Sequence, residues 1–458
     1  MNFNKKMTLY KKSLFIFRRD LRLEDNTGLI YALKNSEEVI PCFIIDDQIT
    51  NNFKNSSHRI EFLNQSLVDL NKQLNKKKNS LRIFKGETKP IIQKIMSKYK
   101  INGVFLNGDY TRFAQNREGE IEELCNKNKI GFNKYADYLL HMPDEIQTHK
   151  ETPYTVYSHF FKTAKTIPIR KIIKNNFNNY YKDEIKDSIS IDMLKKRVKK
   201  NNNGGRTNAL KILKNIHMFK DYQKTRNYPF LDKTTKLSAH NRFGTVSIRE
   251  VYHTIKENLG EEHILIGEIY WREFFTYILH HFPNSQFKTF KKKFQNIQWS
   301  PNVRDYHAWC EGKTGFPIID AGMRQLNKTG FIHNRIRMIV ASFLTKDLHI
   351  DWKKGERYFA EKLVDYDPAV NVGNWQWAAS TGCDAVPYFR IFNPWLQQEK
   401  FDQDCNYIKK WIPELKSVQP NEIHNLWEKR PDGLTYPKPI IDHIIESAKA
   451  KEIFKMQK

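Results

Sequence analysis

Four short segments of the 458-residue chain carry side chains whose types and spacing could do chemistry. The stretch Asp365-Tyr-Asp-Pro-Ala-Val-Asn371-Val-Gly-Asn-Trp375-Gln-Trp377 is polar, aromatic and glycine-containing, and lies between apolar runs. Carboxylates at 365 and 367 with an amide at 371 could cap a helix and hold the polar edge of a ligand. Metal binding is a weaker reading there, because no histidine sits nearby at ligand spacing. In FIHNRIRMIVASFLT, residues 331–345, Ile336, Ile339, Val340 and Phe343 make one apolar helical face. Asn334 and Met338 share another line at i, i+4, with Arg335 and Arg337 flanking it. Met338 suits gap-filling in a core, whereas an arginine at the border of an apolar face calls for a paired or anionic partner. In EIYWREFF, residues 268–275, Glu268 and Trp271 project together at i, i+3. An acid beside a large flat ring suits a planar heterocycle that must be stacked and hydrogen-bonded. Taken singly, a surface acid next to a buried ring explains the pair as well. Thr234-Thr235-Lys236-Leu237-Ser238 follows Pro229 and sets three hydroxyls and a cation ahead of a helix, a candidate phosphate cradle or a helix cap.

These segments need elements to position them. Apolar runs at 13–17, 39–45, 81–84 and 103–106 read as buried strands. Helical patterns separate them: Ile60, Leu63, Leu67 and Leu70 within 58–75, and Ile91, Ile92 and Ile95 within 90–99. Strands alternating with helices predict a Rossmann-like α/β domain with a parallel sheet over residues 1–140. No G-x-G-x-x-G is present, but a ligand would still be expected at the carboxyl ends of the strands. Residues 141–205, rich in Pro and Asn, read as a long surface connector. Its run from Lys195 to Arg206 is a solvated basic loop or, less simply, a DNA-binding arm. From 206 to 458 the pattern is all-α, with helical stretches at 206–222, 247–258, 264–282, 318–328, 333–346 and 355–363. This half holds all nine tryptophans, from Trp271 to Trp427, and that asymmetry suggests stacking or electron transfer in addition to packing.

Composition narrows the class. Lys and Arg exceed Asp and Glu by 77 − 51 = 26, which points to a polyanionic partner such as nucleic acid. Five scattered cysteines without C-x-x-C exclude a disulfide framework and a zinc site, and fit a reducing cytoplasm. No apolar run approaches the ~20 residues of a membrane span, and the apolar stretch at 14–17 is too short for a signal peptide.

Read together, FIFRRDLRLEDN at 15–26, TTKLS, WREFF, GKTGFPIIDAGMRQL at 312–326, HNRIRM and NWQWAASTGCDAVPYFRIFNP at 374–394 resemble the photolyase/cryptochrome family, in order and over nearly the whole chain. The resemblance is greatest to members of the class I type, which repair cyclobutane pyrimidine dimers in single- or double-stranded DNA with light. It implies an antenna-chromophore α/β domain followed by an all-α domain holding a folded FAD, active as FADH⁻. By similarity, Tyr222 and Thr234, Thr235, Lys236, Leu237 and Ser238 would line FAD, the last five at its diphosphate. Lys236 stands where Arg is common, which keeps the charge but loses the bidentate fork. Asn334, Arg337, Asp365, Asp367 and Asn371 would surround the isoalloxazine and ribose, with Arg337 pairing Asp365 and Asn371 facing flavin N5. Glu268, Trp271, Asn334, Met338 and Trp377 would form the dimer pocket. Arg226, Arg335 and Arg390, with Trp271 and Trp377, would contact DNA. Trp375, Trp352 and Trp299 would relay electrons from the surface to the flavin. Ala114 falls where folate-binding members carry Glu, which argues against folate and leaves deazaflavin, FMN, a second FAD or an empty site for the antenna. The alternatives within the family are a cryptochrome-type photoreceptor and a (6-4) photolyase. The latter carries paired active-site histidines where this chain has Asn334 and Met338. The implied protein is a monomer in the cytoplasm of a bacterium or archaeon, working at the nucleoid and needing neither metal nor membrane.

Overall fold

The computed structural model describes residues 8–48, 56–195 and 203–457. Most of the basic run from Lys195 to Arg206 therefore lies outside the described residues. The chain divides into two compact units, Met1–Glu151 with Phe161–His217 and Thr235–Glu273, and Thr152–Phe160 with Met218–Thr234 and Phe274–Lys458.

The first unit is built on five parallel strands, β1 (Tyr10–Phe17), β2 (Ser36–Ile45), β3 (Arg82–Lys85), β4 (Gly103–Asn107) and β5 (Gly131–Tyr135), in the order β3-β2-β1-β4-β5. Helices α1 (Thr27–Asn35), α2 (Ser57–Lys76), α3 (Thr88–Tyr99) and α4 (Arg112–Lys127) alternate with them. Leu14, Phe15, Ile40, Val104 and Phe105 are fully buried, as a sheet covered on both faces requires. The four expected strands are present, two of them beginning three residues earlier than their apolar runs. Strand β5 has no apolar run to announce it, because it is a half-exposed edge strand of sequence GFNKY.

The strand order reverses between β1 and β4, and polar side chains gather at those carboxyl ends. Arg22 bonds Asp137, and Arg249 reaches Asp25 at 2.8 Å and Asp137 at 2.7 Å. Arg170 adds a third guanidinium, 2.6 Å from Asp25. Burial alone would raise Asp137, but Arg22 and Arg249 overcome it and hold the carboxyl below its usual range. Arg249 sits on α5 (Ile248–Leu259), whose start is fixed by a capping box between Ser247 and Glu250.

The connector is more than a spacer. Its backbone clips onto the sheet: Val39 N donates to Asn179 O at 3.0 Å, Tyr181 N to Val39 O at 2.9 Å, and Asp25 N to Ile173 O at 2.9 Å. Over this stretch the surface connector is a hydrogen-bonded strap.

Among the described residues, everything after β5 is helical or irregular apart from one isolated bridge at Tyr180. Helix α6 (Ile264–His281) leads into the second unit, followed by α7 (Val303–Glu311), α8 (Pro317–Thr329), α9 (Asn334–Ser342), α10 (Trp352–Lys362), α11 (Pro368–Ala378) and the terminal α12 (His443–Lys455). The apolar faces of α7 to α11 meet in one core that includes Trp309, Ile336, Trp352, Phe359 and Trp375. The segment 312–326 has a structural use here. Asp320 accepts from Thr314 N at 2.8 Å and Thr314 Oγ1 at 2.7 Å, and from Tyr436 Oη at 2.5 Å. Gly315 has φ +79°, and a Cβ there would lie 2.3 Å from the Lys438 carbonyl, so only glycine serves.

Candidate functional site

Helix α11 begins where its sequence says it should. Asp367 is the N-cap, its Oδ1 accepting from Ala369 N at 3.0 Å and Val370 N at 3.3 Å, and Pro368 occupies the first helical position. The capping reading of Asp367 therefore holds for its Oδ1. Two residues upstream, Asp365 Oδ2 accepts from Arg337 Nη2 at 2.8 Å, while Arg337 Nε donates to Ile332 O at 3.0 Å. Asp365 Oδ1 is buried and has no hydrogen-bond partner. A buried carboxylate oxygen without a donor costs free energy, and a ligand bringing an N–H or O–H would satisfy it. Thr234 Oγ1, in the same unit, is another buried polar atom left without a partner.

Asn371 is buried one turn into α11. Its Nδ2 donates to Glu356 O at 3.1 Å and Glu356 Oε1 at 3.0 Å. Both amide hydrogens are thus committed to α10, and the Oδ1 end is oriented as a consequence. Glu356 is itself pushed up by burial and pulled back by Asn371 and Tyr366. Sequence reading passed over Glu356, since an acid in an amphipathic helix reads as a solvated one.

Helix α9 carries Asn334, Arg335, Arg337 and Met338. His333 is its N-cap through Nδ1, which accepts from Arg335 N at 3.2 Å. Burial pushes the His333 imidazole down to about 4, helped by the Arg335 and Arg337 guanidiniums, so it is neutral at pH 7. Asn334 is exposed and Met338 half-buried one turn on. Arg335 donates through Nη2 to Asn227 Oδ1 at 2.7 Å and lies 4.5 Å over the Phe401 ring. Its Nε is buried without a partner, and its charge is disfavoured by burial and then by Arg226 and Arg390. Two like charges therefore act on the Arg335 guanidinium, a position that an anion would relieve. Arg226 also lies 5.7 Å from the Tyr222 ring centroid.

The tryptophans separate by burial. Trp352 and Trp375 are 1% and 2% exposed, whereas Trp299 and Trp377 pack against the core from its margin. Trp299 meets Phe454 of α12, ring centroids 6.3 Å apart. Trp375 is admitted by a glycine on α10: a Cβ at Gly355 would stand 2.2 Å from Trp375 Cη2. Arg390 is exposed in the turn after Pro387.

In the first unit, Glu268 and Trp271 are both half-buried on α6. Glu273 on the same helix is raised by burial to about 7, although Arg272 and the Leu140 and His141 amides oppose the shift. The expected cap at 234–238 differs from a standard N-cap. Lys236 is the N-cap of the short helix Leu237–Phe243, in left-handed backbone at φ +55°, and its side chain makes no cap bond. Thr235 Oγ1 instead accepts from Leu237 N at 3.4 Å, and Ser238 falls inside the first turn with its side chain exposed. Ala114 is buried in the first turn of α4. One turn on, Glu118 is held by Arg18 at 2.6 Å.

Both halves of the chain are similar to known proteins. Residues 13–174 match the family model for DNA photolyase, and residues 265–456 match the FAD binding domain of DNA photolyase. A deoxyribodipyrimidine photo-lyase of Buchnera aphidicola is 36% identical, covering 97% of both chains. One from Escherichia coli is 34% identical over 93% of this chain and 95% of its own. Among solved structures, an archaeal photolyase from Sulfolobus tokodaii with two FAD molecules superposes with TM-score 0.88 at 40% identity, covering 97% of this chain and 99% of that one. A Synechocystis cryptochrome gives TM-score 0.88 at 27% identity, over 97% and 99%.

Proposed function

The chain belongs to the DNA photolyase family, and from that premise we propose that it repairs cyclobutane pyrimidine dimers in UV-damaged DNA with light, using FAD. The observation that carries this reading is the near-full-length match to proteins named deoxyribodipyrimidine photo-lyase.

A dimer stacked in a duplex cannot reach a buried cofactor, so it is flipped out; photolyases are among the handled cases of base flipping, and a damaged pair costs less to extrude than an intact one. Arg226, Arg335 and Arg390 take the flanking phosphates. The like charges that Arg226 and Arg390 bring to Arg335, and the +26 balance, support this role. Trp271 and Trp377 wall the flipped dimer. Asn334 and Met338, one turn apart on α9, complete the pocket. Glu268 hydrogen-bonds a thymine carbonyl and stabilises charge developing there. Reduced FAD, when excited, supplies the electron that splits the ring and receives it back. Asp365 and Arg337 hold the polar edge of the cofactor, Asp367 and the oriented Oδ1 of Asn371 lie along α11 beside it, and Tyr222 and Thr234 to Ser238 take the diphosphate end. The orphaned oxygens of Asp365 and Thr234 fit such a ligand. Trp299, Trp352 and Trp375 pass electrons inward to reactivate oxidised cofactor.

The domain limits follow the same reading: 1–140 for an antenna chromophore, 141–205 as connector and 206–458 as the catalytic half. Ala114 disfavours folate, and the second FAD of the Sulfolobus tokodaii photolyase supports a flavin-type antenna over folate. The protein works as a cytoplasmic monomer. No helix among the described residues is long and apolar enough to cross a membrane.

The test is to illuminate reduced, FAD-loaded protein with UV-irradiated oligothymidine and follow recovery of thymine absorbance. Recovery supports repair. None, with flavin photoreduction intact, would instead assign a photoreceptor. Glu268→Ala should retain flavin and DNA but lower the repair yield, and an unchanged yield removes Glu268 from the chemistry.

A further inference from the structure

Trp309 has no part in the relay just described, yet its ring touches that relay at the innermost member. It lies on α7, is 0% exposed, and its centroid stands 6.0 Å from that of Trp375 in an edge-on contact at 72°. Phe359 packs against both, 5.0 Å from Trp375 and 6.1 Å from Trp309. On the outer side Tyr306, one turn earlier on α7, stacks on Trp309 at 6.3 Å and 18°. Tyr306 is half-exposed. A continuous file of π systems thus runs from a buried indole to a phenol at the surface.

We propose that Trp309 and Tyr306 form a second outlet for oxidising equivalents from Trp375, ending in a tyrosyl radical. The inference rests on the reading that Trp375 is the donor nearest the flavin.

Electron tunnelling falls steeply with edge-to-edge separation, so rings in contact set the route. What each ring does with the positive charge depends on its proton. Trp309 Nε1 donates to Val340 O at 3.0 Å in a site without solvent. A carbonyl is no base, so an oxidised Trp309 keeps its proton, stays strongly oxidising and hands the charge on. Tyr306 donates its hydroxyl to Lys354 O at 3.2 Å, and burial holds the phenol protonated in the resting state. Once oxidised, a phenol is a strong acid, and at its half-exposed position the proton leaves to water. Trp309 is therefore a conduit and Tyr306 a sink. Tyr358 also meets Trp309, at 5.7 Å. That contact is edge-on at 63°, not stacked, and the Tyr358 hydroxyl is held by two acceptors, Asn327 Oδ1 at 2.6 Å and Cys310 O at 2.9 Å, against the single longer bond of Tyr306.

The electrons balance. Trp375 gives one electron to photo-excited oxidised flavin and becomes a cation radical. Trp309 gives one electron to Trp375, and Tyr306 gives one to Trp309 while releasing its phenolic proton to water. A soluble thiol returns one hydrogen atom to the neutral Tyr306 radical and closes the cycle.

Flash photolysis of the oxidised, FAD-loaded protein with time-resolved EPR tests this. The expected result is a neutral tyrosyl signal alongside the tryptophanyl signal. Tyr306→Phe, which removes one oxygen and leaves the stack, should take the tyrosyl signal to background and keep the tryptophanyl one; Trp309→Phe should do the same. Trp352→Phe should leave the tyrosyl signal in place. An independent readout avoids the flavin: azide radicals generated by pulse radiolysis oxidise tryptophan, and conversion of tryptophanyl to tyrosyl radical should slow in Tyr306→Phe but not in Tyr358→Phe. A wild-type protein with no tyrosyl signal, or a signal that survives Tyr306→Phe, overturns the branch. Trp375→Phe separates the two readings. If both signals persist in that variant, Trp375 is not the inner donor and the parent relay has failed. If the wild type shows the tryptophanyl signal without the tyrosyl one, and Trp375→Phe abolishes that tryptophanyl signal, the branch alone has failed.

Discussion

Two groups of arginines show opposite treatment of the same side chain. At the carboxyl ends of the sheet, Arg22, Arg170 and Arg249 each meet Asp25 or Asp137, and the carboxylates are fully buried. In the helical unit, Arg335 has the neutral Asn227 and the Phe401 ring, and stands in the repulsive field of Arg226 and Arg390. The first set pairs each guanidinium with a buried carboxylate and fixes structure. In the second, Arg335 is bonded to a neutral amide and feels two like charges. The lesson is that the sign of the neighbours, more than the number of arginines, separates a structural cluster from a docking one.

The contrast breaks first at Asp137. Replacing it with Ala strands Arg22 in a buried site and leaves Arg249 with Asp25 alone, and breaking such a pair costs about 3–5 kcal/mol. A denaturant midpoint unchanged from wild type would refute the structural role of the network. Removing Arg335 should do the reverse. Arg335→Ala should leave that midpoint nearly in place yet weaken binding to undamaged DNA, and flatten the plot of log affinity against log salt by about one unit. An equal loss of stability and no change in slope would place Arg335 with the structural set.

A smaller effect sharpens the same point through His333. Its folded imidazole titrates at about 4, depressed by burial and then by Arg335 and Arg337, against about 6.5 when unfolded. Between those values the unfolded chain takes up a proton that the folded chain refuses, so lowering the pH removes stability over that window. His333→Asn should lessen the loss between pH 6.5 and 4, and Arg335→Ala should move the His333 titration upward, both readable by NMR and by unfolding at stepped pH. The smallest effect is expected at the exposed Lys98–Asp187 pair, 2.7 Å apart. Lys98→Ala should give no measurable change in stability, because exposed pairs contribute little.

Much of the scaffold was legible from periodicity. The strands with apolar runs and the helix at 264–281 needed only hydropathy, and Asp367 ahead of Pro368 announced its helix by chemistry. What escaped is instructive. Strand β5 is held by its edge position next to β4, and α4 is a charged helix with few buried side chains. The strap at 173–181 binds through main-chain groups and asparagine amides, and neither marks a segment already rich in Asn. At the site, Glu356 and Asn371 are 15 residues apart and meet only because α10 packs on α11. Trp309 could have been flagged as one of nine tryptophans, but its contact with Trp375 belongs to the tertiary fold alone.

The strap has a consequence for handling the protein. Strand β3 pairs with β2 only from Cys42 to Ile45, so the earlier half of β2 would face the outside as a bare row of amides and carbonyls. Residues 179–181 occupy that row at Val39, and the Asn179 side chain adds bonds to Leu33 O and Ser36 O. Bare strand flanks recruit other chains. Trimming this linker to make a shorter protein would therefore produce a sticky one, prone to self-association before any loss of catalysis is seen.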